Sequence, residues 1–257
     1  MNQYQKIMVE LSHDQQIFKI ILNAPKGNVL DVQMMADITS ALATYAAQPE
    51  IKAVVFEGAG RHFSFGASVP EHTAETVAEM LKNFHRLFRE LIALSKPCIA
   101  VVRGQCLGGG LELAAFCHWI FAADDAQFGQ PEIKLAVFPP VASLILPHRI
   151  GQSVADDLVL TGRSISAQQA LAIGLVHMID EDPDEQAIAF IEKKLLHHSA
   201  TALHFAAKSS RYAMHQAFLQ HIAAVEKMYV DELMRTEDAN EGIAAFLEKR
   251  QPVWKNR

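Results

Sequence analysis

Cysteine is scarce in this chain: 257 residues contain three, Cys98, Cys106 and Cys117. The number is odd, the neighbours are apolar and the spacing matches no zinc pattern, which excludes a disulfide framework and a cysteine-based metal centre. The three read as reduced, buried thiols of a cytoplasmic protein. Positive charge is also in short supply, with 23 Lys and Arg against 29 Asp and Glu and a formal net charge of −6. This balance argues against a broad nucleic-acid surface, although a few local cations suffice for a small anionic ligand. No run approaches the ~20 apolar residues of a membrane span. The N-terminal MNQYQKIMVELSHD lacks the apolar core of a signal peptide. The 12 histidines, among them His62, His72, His85 and the pair His197-His198, form no ligand pattern such as H-E-x-x-H and read as surface or packing residues. Gly58-Ala59-Gly60 is no dinucleotide fingerprint, because its third glycine is misplaced and no helix follows at once. Repeats and low-complexity tracts are absent.

What is present is apolar material: half of the residues, enough for one large domain or a domain with an appendage. Ile7–Leu11 and Ile17–Leu22 read as strands around the turn residues Ser12, His13 and Asp14. The segment from Asn23 through Pro25 to Asn28 reads as a loop. Asp31 is a candidate cap for a helix to about Tyr45, with Met34, Met35, Ile38 and Leu42 at helical spacing. A short buried strand is expected at Ala53–Phe56, then a glycine-rich connection from Gly58 to Gly66. A long amphipathic helix is expected from about Ala74 to Leu94, ended by Pro97, followed by buried strands at Cys98–Val102 and Trp119–Ala122. This alternation implies an α/β fold with parallel pairing. From Pro139 onward helices dominate, at roughly Val141–Leu146, Ser153–Leu160, Ala167–Ala172, Glu185–His197, Thr201–Arg235 (broken or continuous) and Asp238–Lys249. The expected organisation is a core over residues 1–195 and a helical region over 196–257 that caps the core or packs on a neighbour. Lys249, Arg250, Lys255 and Arg257 read as a solvated basic tail, or as a contact to anionic phosphates from a neighbouring subunit.

The chemistry concentrates in GQCLGGGLELAAFCH, Gly104 to His118. Three glycines open a helix and leave free N–H groups where a ligand can come close. Glu112 then sits among Leu111, Leu113, Ala114, Ala115 and Phe116, where a carboxylate is costly without a purpose. A second carboxylate, Glu132, follows Pro131. Alone it would read as a cap or a surface charge; with Glu112 it offers a pair able to divide acid and base roles. In His62-Phe63-Ser64-Phe65-Gly66-Ala67-Ser68, Gly66 permits a tight turn. The N–H that follows it, with that of Gly109, would form a two-donor oxyanion hole; alone, the segment reads equally as an ordinary connection.

The segments LNAPKGNVLD, HFSFGASV, the run from Lys96 to Pro140, and LVLTGRSISAQQALAIGLV together resemble the enoyl-CoA hydratase/isomerase (crotonase) superfamily, in the same order. The resemblance implies a stack of ββα turns with a helical C-terminal region, and trimers commonly paired into hexamers. It implies that Ala67 and Gly109 are the oxyanion-hole donors and that Glu112 and Glu132 are the two catalytic carboxylates of a hydratase. It places Lys26, Gly27, Asn28 and Phe65 where the family meets coenzyme A. The CoA arrives as part of an acyl thioester substrate, and no metal or redox cofactor is expected. Three positions depart from the common pattern: Pro140-Val141-Ala142-Ser143 replaces a glycine-rich segment, Ser68 stands after Ala67, and His118 replaces a frequent Asp. With LNAPKGNVLD and HFSFGASV, the Pro139–Ser143 departure is most like the branch that hydrates cyclohexa-1,5-diene-1-carbonyl-CoA. The alternatives are a straight-chain enoyl-CoA hydratase, an isomerase, a thioester hydrolase and a non-catalytic CoA- or RNA-binding relative. Which glutamate is acid and which is base stays open.

Overall fold

The computed structural model describes residues 4–24 and 26–257; Pro25, inside the expected loop, lies outside the described residues. Strands β1 (Ile7–Ser12) and β2 (Ile17–Leu22) form the expected antiparallel hairpin. Helix α1 (Val32–Ala41) is capped by Asp31, whose side chain accepts the Met34 N–H at 2.9 Å, and a π-turn at Leu42–Ala46 carries it on. β3 (Ala53–Gly58), α2 (Val77–Leu94) and β4 (Cys98–Val102) follow. The end of α2 is set by Ser95, in the left-handed region at φ 47°, two residues before the expected Pro97. Then come β5 (Gln105–Leu107), α3 (Gly109–Phe116), β6 (Trp119–Ala122) and β7 (Gln127–Gly129).

The later part holds α4 (Pro140–Ile150), α5 (Gln152–Thr161), β8 (Ser164–Ser166), α6 (Ala167–Ala172), β9 (Met178–Ile179) and α7 (Pro183–Lys194). It ends in α8 (Ala200–Ser210), α9 (Tyr212–Lys227) and α10 (Glu237–Leu247). The expected stretch Thr201–Arg235 is broken at Arg211, and beyond α9 it continues as a π-turn at Met228–Glu232. The strands β5, β7, β8 and β9 have no counterpart in the sequence reading. They are two or three residues long, too short to show a period.

The six-stranded sheet runs β1-β2-β3-β4-β6-β9, parallel from β2 onward. IFKIIL, AVVFEG and CIAVV are nearly continuous apolar runs because both faces are covered. Alternate residues divide between the faces. Phe18, Val54, Phe56, Ala100 and Ile120 join the main core, whereas Ile17, Ala53, Val55, Ile99 and Phe121 meet Ala187 and Ile191 of α7. The C-terminal helices have no separate core: Phe218, Ile222, Tyr229 and Ile243 belong to the same cluster as Phe18 and Phe56. Arg211 ties the two parts together by donating to the carbonyls of Phe116 (2.6 Å) and Cys117 (2.7 Å) at the end of α3.

The basic tail is held rather than free. Arg250 pairs with Glu241 and Glu248, and Arg257 with Glu237. The three cysteines are free and buried, and burial pushes the Cys98 thiol up to about 12. Among the described residues, no helix is long and apolar enough to cross a membrane.

Candidate active site

The second, three-stranded sheet builds the site. β5 pairs in parallel with β7, matching Gln105 to Gln127 and Leu107 to Gly129, and the Gly108 N–H donates to the Gly129 carbonyl at 2.9 Å. This pairing lays the segment that follows β7 beside the start of α3. Glu112 stands in the first turn of α3, and Glu132 in the 3₁₀ turn Pro131–Leu135. Gly108 joins them: its φ is +52°, and a Cβ there would lie 2.7 Å from Glu132 Oε1. Only glycine supports both the backbone conformation and the approach of that carboxylate.

The two candidate oxyanion donors are positioned by a parallel bridge between Leu30 and Ala67. The chain turns at Gly66 (φ +98°), as its sequence predicts. Buried Ser64 donates to the Asn28 carbonyl at 2.8 Å and accepts the Gly66 N–H at 3.0 Å, while the Leu30 N–H donates to the Gly66 carbonyl at 2.9 Å. The backbone nitrogen of Ala67 thereby comes within 3.1 Å of where a Cβ on Gly109 would sit. Gly109 is the first residue of α3, so its N–H has no partner inside the helix. Among the described residues, no backbone hydrogen bond uses the N–H of Ala67 or of Gly109. Both residues line the same small cavity, at the positive end of the α3 dipole.

Glu112 is 3% exposed, and its Oε1 accepts the Ala142 N–H at 2.7 Å. Ala142 lies in the first turn of α4, so a second helix N-terminus supports this carboxylate. Burial pushes the Glu112 carboxyl up to about 7, against the lowering effect of the Ala142 and Val141 amides. Glu132 is raised well above the ordinary carboxylate range by burial and then by the charge of Glu112. The charge of one raises the other, so the pair gives up its two protons in separate steps. The fully buried Gln130, oriented with its amide nitrogen toward Glu132, donates to Oε1 at 3.1 Å and Oε2 at 3.0 Å.

Glu112, Glu132, Ala67 and Gly109 all line one small cavity of about 20 Å³, the room one water molecule needs. It adjoins an apolar pocket of about 400 Å³ that shares Ala67, His72 and Glu132 with it and is bounded by Phe65, Leu107, Leu135, Val137 and Phe246. A third hollow of about 360 Å³ is lined by Lys26, Gly27, Asn28, Arg61 and His62. Lys26 and Arg61 are exposed there and form no ion pair among the described residues. Phe65 is 40% exposed and covers Gly27, donating its N–H to the Gly27 carbonyl at 2.8 Å. Asn28 differs from the reading that its sequence suggests. Its side chain accepts the Ala24 N–H at 3.0 Å and donates to the carbonyls of Ala59 (3.1 Å) and His62 (2.8 Å). It braces the loops and has no donor left for a ligand.

Three site residues escaped the sequence reading. His72, which read as a surface or packing histidine, lines both cavities, and its Nδ1–H donates to the Ser68 carbonyl at 2.8 Å. Burial lowers its pKa, so it stays neutral. Gln130 had only its place before Pro131-Glu132 to mark it. Tyr229 reaches the small cavity from the C-terminal region, more than ninety residues from either glutamate in sequence, and no local signal could have announced it.

The enoyl-CoA hydratase/isomerase family model matches residues 12–257. The chain belongs to that family. A cyclohexa-1,5-dienecarbonyl-CoA hydratase from Thauera aromatica is 43% identical over 251 residues, 98% of this chain and 97% of that protein. A 2,3-dehydroadipyl-CoA hydratase from Escherichia coli is 35% identical over 96% of this chain and 98% of its own. Among solved structures, an enoyl-CoA hydratase from Mycobacterium avium subsp. paratuberculosis superimposes with a TM-score of 0.83 at 28% identity, covering 98% of this chain and 100% of that one. The expected family and α/β fold are thus borne out, and this member carries both carboxylates of the family resemblance on a single cavity.

Proposed function

We propose that this family member is an acyl-CoA hydratase that adds water to a conjugated thioester, with a cyclic dienoyl-CoA as the favoured substrate. The observation that carries the reading is the convergence of Glu112, Glu132 and two unspent amide donors on a cavity the size of one water. The 43% identity to a cyclic dienoyl-CoA hydratase over nearly the whole chain supports the acyl group.

A conjugated thioester is a weak electrophile until its carbonyl oxygen is polarised. The amides of Ala67 and Gly109 bind that oxygen and stabilise the enolate as charge develops, each donor contributing ~3 kcal/mol. Glu112, whose charge the Ala142 and Val141 amides support, is the carboxylate that ionises and accepts the proton from water. Glu132, held up by burial and by the charge of Glu112, keeps the shared proton and delivers it to carbon. The water oxygen bonds to the acyl chain, the π electrons move onto the carbonyl oxygen, and re-formation of the carbonyl accompanies protonation. The apolar pocket bounded by Leu107, Leu135 and Val137 suits a hydrocarbon acyl group. The cations Lys26 and Arg61, beside the hollow behind Phe65, suit CoA phosphates.

We further infer a cytoplasmic role in degrading aromatic-derived acids and assembly as a trimer or a pair of trimers. Exposed Phe205, Tyr212 and Met228 on the C-terminal helices offer contact surface between copies. Light scattering of the purified protein tests the assembly, and a monomer would reject it. The activity test is ultraviolet absorbance with a panel of straight-chain enoyl-CoA and cyclic dienoyl-CoA thioesters. Hydration abolishes or shortens the chromophore, isomerisation moves it, and hydrolysis releases free thiol. Loss of conjugation without thiol release is the expected result; an unchanged spectrum across the panel would reject the reading.

A further inference from the structure

Tyr229 is 1% exposed, sits in the π-turn that follows α9, and packs its ring edge-on to Phe138 at 5.1 Å between centroids. It lines the same 20 Å³ cavity as Glu112 and Glu132. Its hydroxyl is buried and meets no hydrogen-bond partner within the protein. A buried hydroxyl without a partner is costly, and one left that way beside two carboxylates calls for a reason. It makes no hydrogen bond to either glutamate, so the group that satisfies it would occupy the cavity they share. Across such a gap a bridging water is the ordinary solution.

We propose that the Tyr229 hydroxyl is a further catalytic polar group of this site, donating its O–H to the water held between Glu112 and Glu132 and thereby aiming that water at the acyl chain. The inference rests on the hydratase reading of the site. A water has two hydrogens and two lone pairs. Its hydrogens face the two carboxyl groups, and one lone pair accepts from Tyr229. Three of its four directions are then fixed, and the remaining lone pair points along the cavity toward the substrate. In the forward step this lone pair forms the new carbon–oxygen bond, and the proton the water loses goes to Glu112. The proton that completes the addition leaves Glu132 for carbon. Tyr229 gains and loses no proton; in the reverse direction its O–H stabilises the departing hydroxide. Burial and the charges of both glutamates raise the phenol's pKa, so it remains the O–H form that a donor requires.

Tyr229→Phe removes one oxygen and keeps the ring against Phe138. With a thioester that the wild-type protein turns over, kcat is expected to fall about 10- to 100-fold with KM changed less than about twofold, because the lost contact acts on the water and not on the bound acyl-CoA. A crystal structure of the wild-type protein is expected to place a water about 3 Å from the Tyr229 hydroxyl and between the carboxylates, absent or displaced in the variant. A kcat in Tyr229→Phe equal to wild type overturns the proposal, as does a wild-type water out of reach of the hydroxyl. Should the variant fail to fold, the water position in the wild type decides alone. Failure of the wild type to hydrate any thioester rejects the hydratase reading instead, and the crystallographic contact still decides the role of Tyr229.

Discussion

Glu112 and Glu132 are each raised by burial, and the consequences separate activity from stability. Glu112→Gln and Glu132→Gln are expected to lower hydration turnover about 10²- to 10⁴-fold, the range of a lost acid or base, with a folded circular-dichroism spectrum. Near-wild-type turnover in either variant would remove that residue from the chemistry. The folded protein binds the Glu112 proton up to about pH 7, whereas the unfolded chain releases it near 4.5. Proton uptake by the folded state therefore supports it fully below pH 4.5, and this support is lost as pH climbs through 7. Glu112→Gln escapes the loss. Its stability relative to wild type, measured by urea denaturation, is expected to grow from about pH 5 to pH 8 by as much as ~3 kcal/mol. A gap that stays constant with pH would show that Glu112 titrates normally. Glu112 was a legible candidate in the sequence because an acid in an apolar helix is conspicuous; Glu132 became one only as its partner and through the family resemblance. The engagement of Asn28 within its own loop was not legible, since an exposed ligand contact and a buried brace use the same side chain.

At the scale of elements, two helix N-termini and one pair of three-residue strands make the site. α3 leaves its first N–H, that of Gly109, unspent at the cavity, and α4 presents the Ala142 N–H to Glu112. Pro139-Pro140 starts α4 where this donor is needed, since proline at the first helical position sacrifices no hydrogen bond. The turn into α3 is the least tolerant point. Gly108→Ala places a Cβ 2.7 Å from Glu132 Oε1 at a φ of +52°. It is expected to cost about 1–3 kcal/mol of stability and to lower kcat at least tenfold by displacing the carboxylate. An active variant of unchanged melting temperature would contradict the geometry. The long elements were read correctly because their periods repeat over many residues: α1, α2, β2 and β4 all lie within a few residues of expectation. β5 and β7 were not, although their pairing brings the two glutamates together. Three residues carry no period, and what makes them strands is each other.

For the molecule as a whole, the C-terminal helices are part of one core and not an attachment. Phe218, Ile222 and Ile243 share the cluster of the central sheet, Arg211 closes the end of α3, and Tyr229 and Phe246 line the site cavities. Arg211→Met removes the two hydrogen bonds to the Phe116 and Cys117 carbonyls. It is expected to destabilise the fold by about 2–4 kcal/mol in a single cooperative transition. Two separate transitions would show that residues 196–257 fold as an independent unit.

The amino-acid order alone was sufficient for the family, the α/β class and the helical C-terminal region, and it singled out the two carboxylates as candidates. Each is written in contiguous residues: an apolar run, a helical period, a glycine triplet ahead of a glutamate. The meeting of those pieces lay beyond it. Which amides stay unspent, which carboxylate ionises first and which tyrosine completes the cavity depend on burial and on distances between segments far apart in the chain. Those quantities come into being when the strands pair and water is excluded.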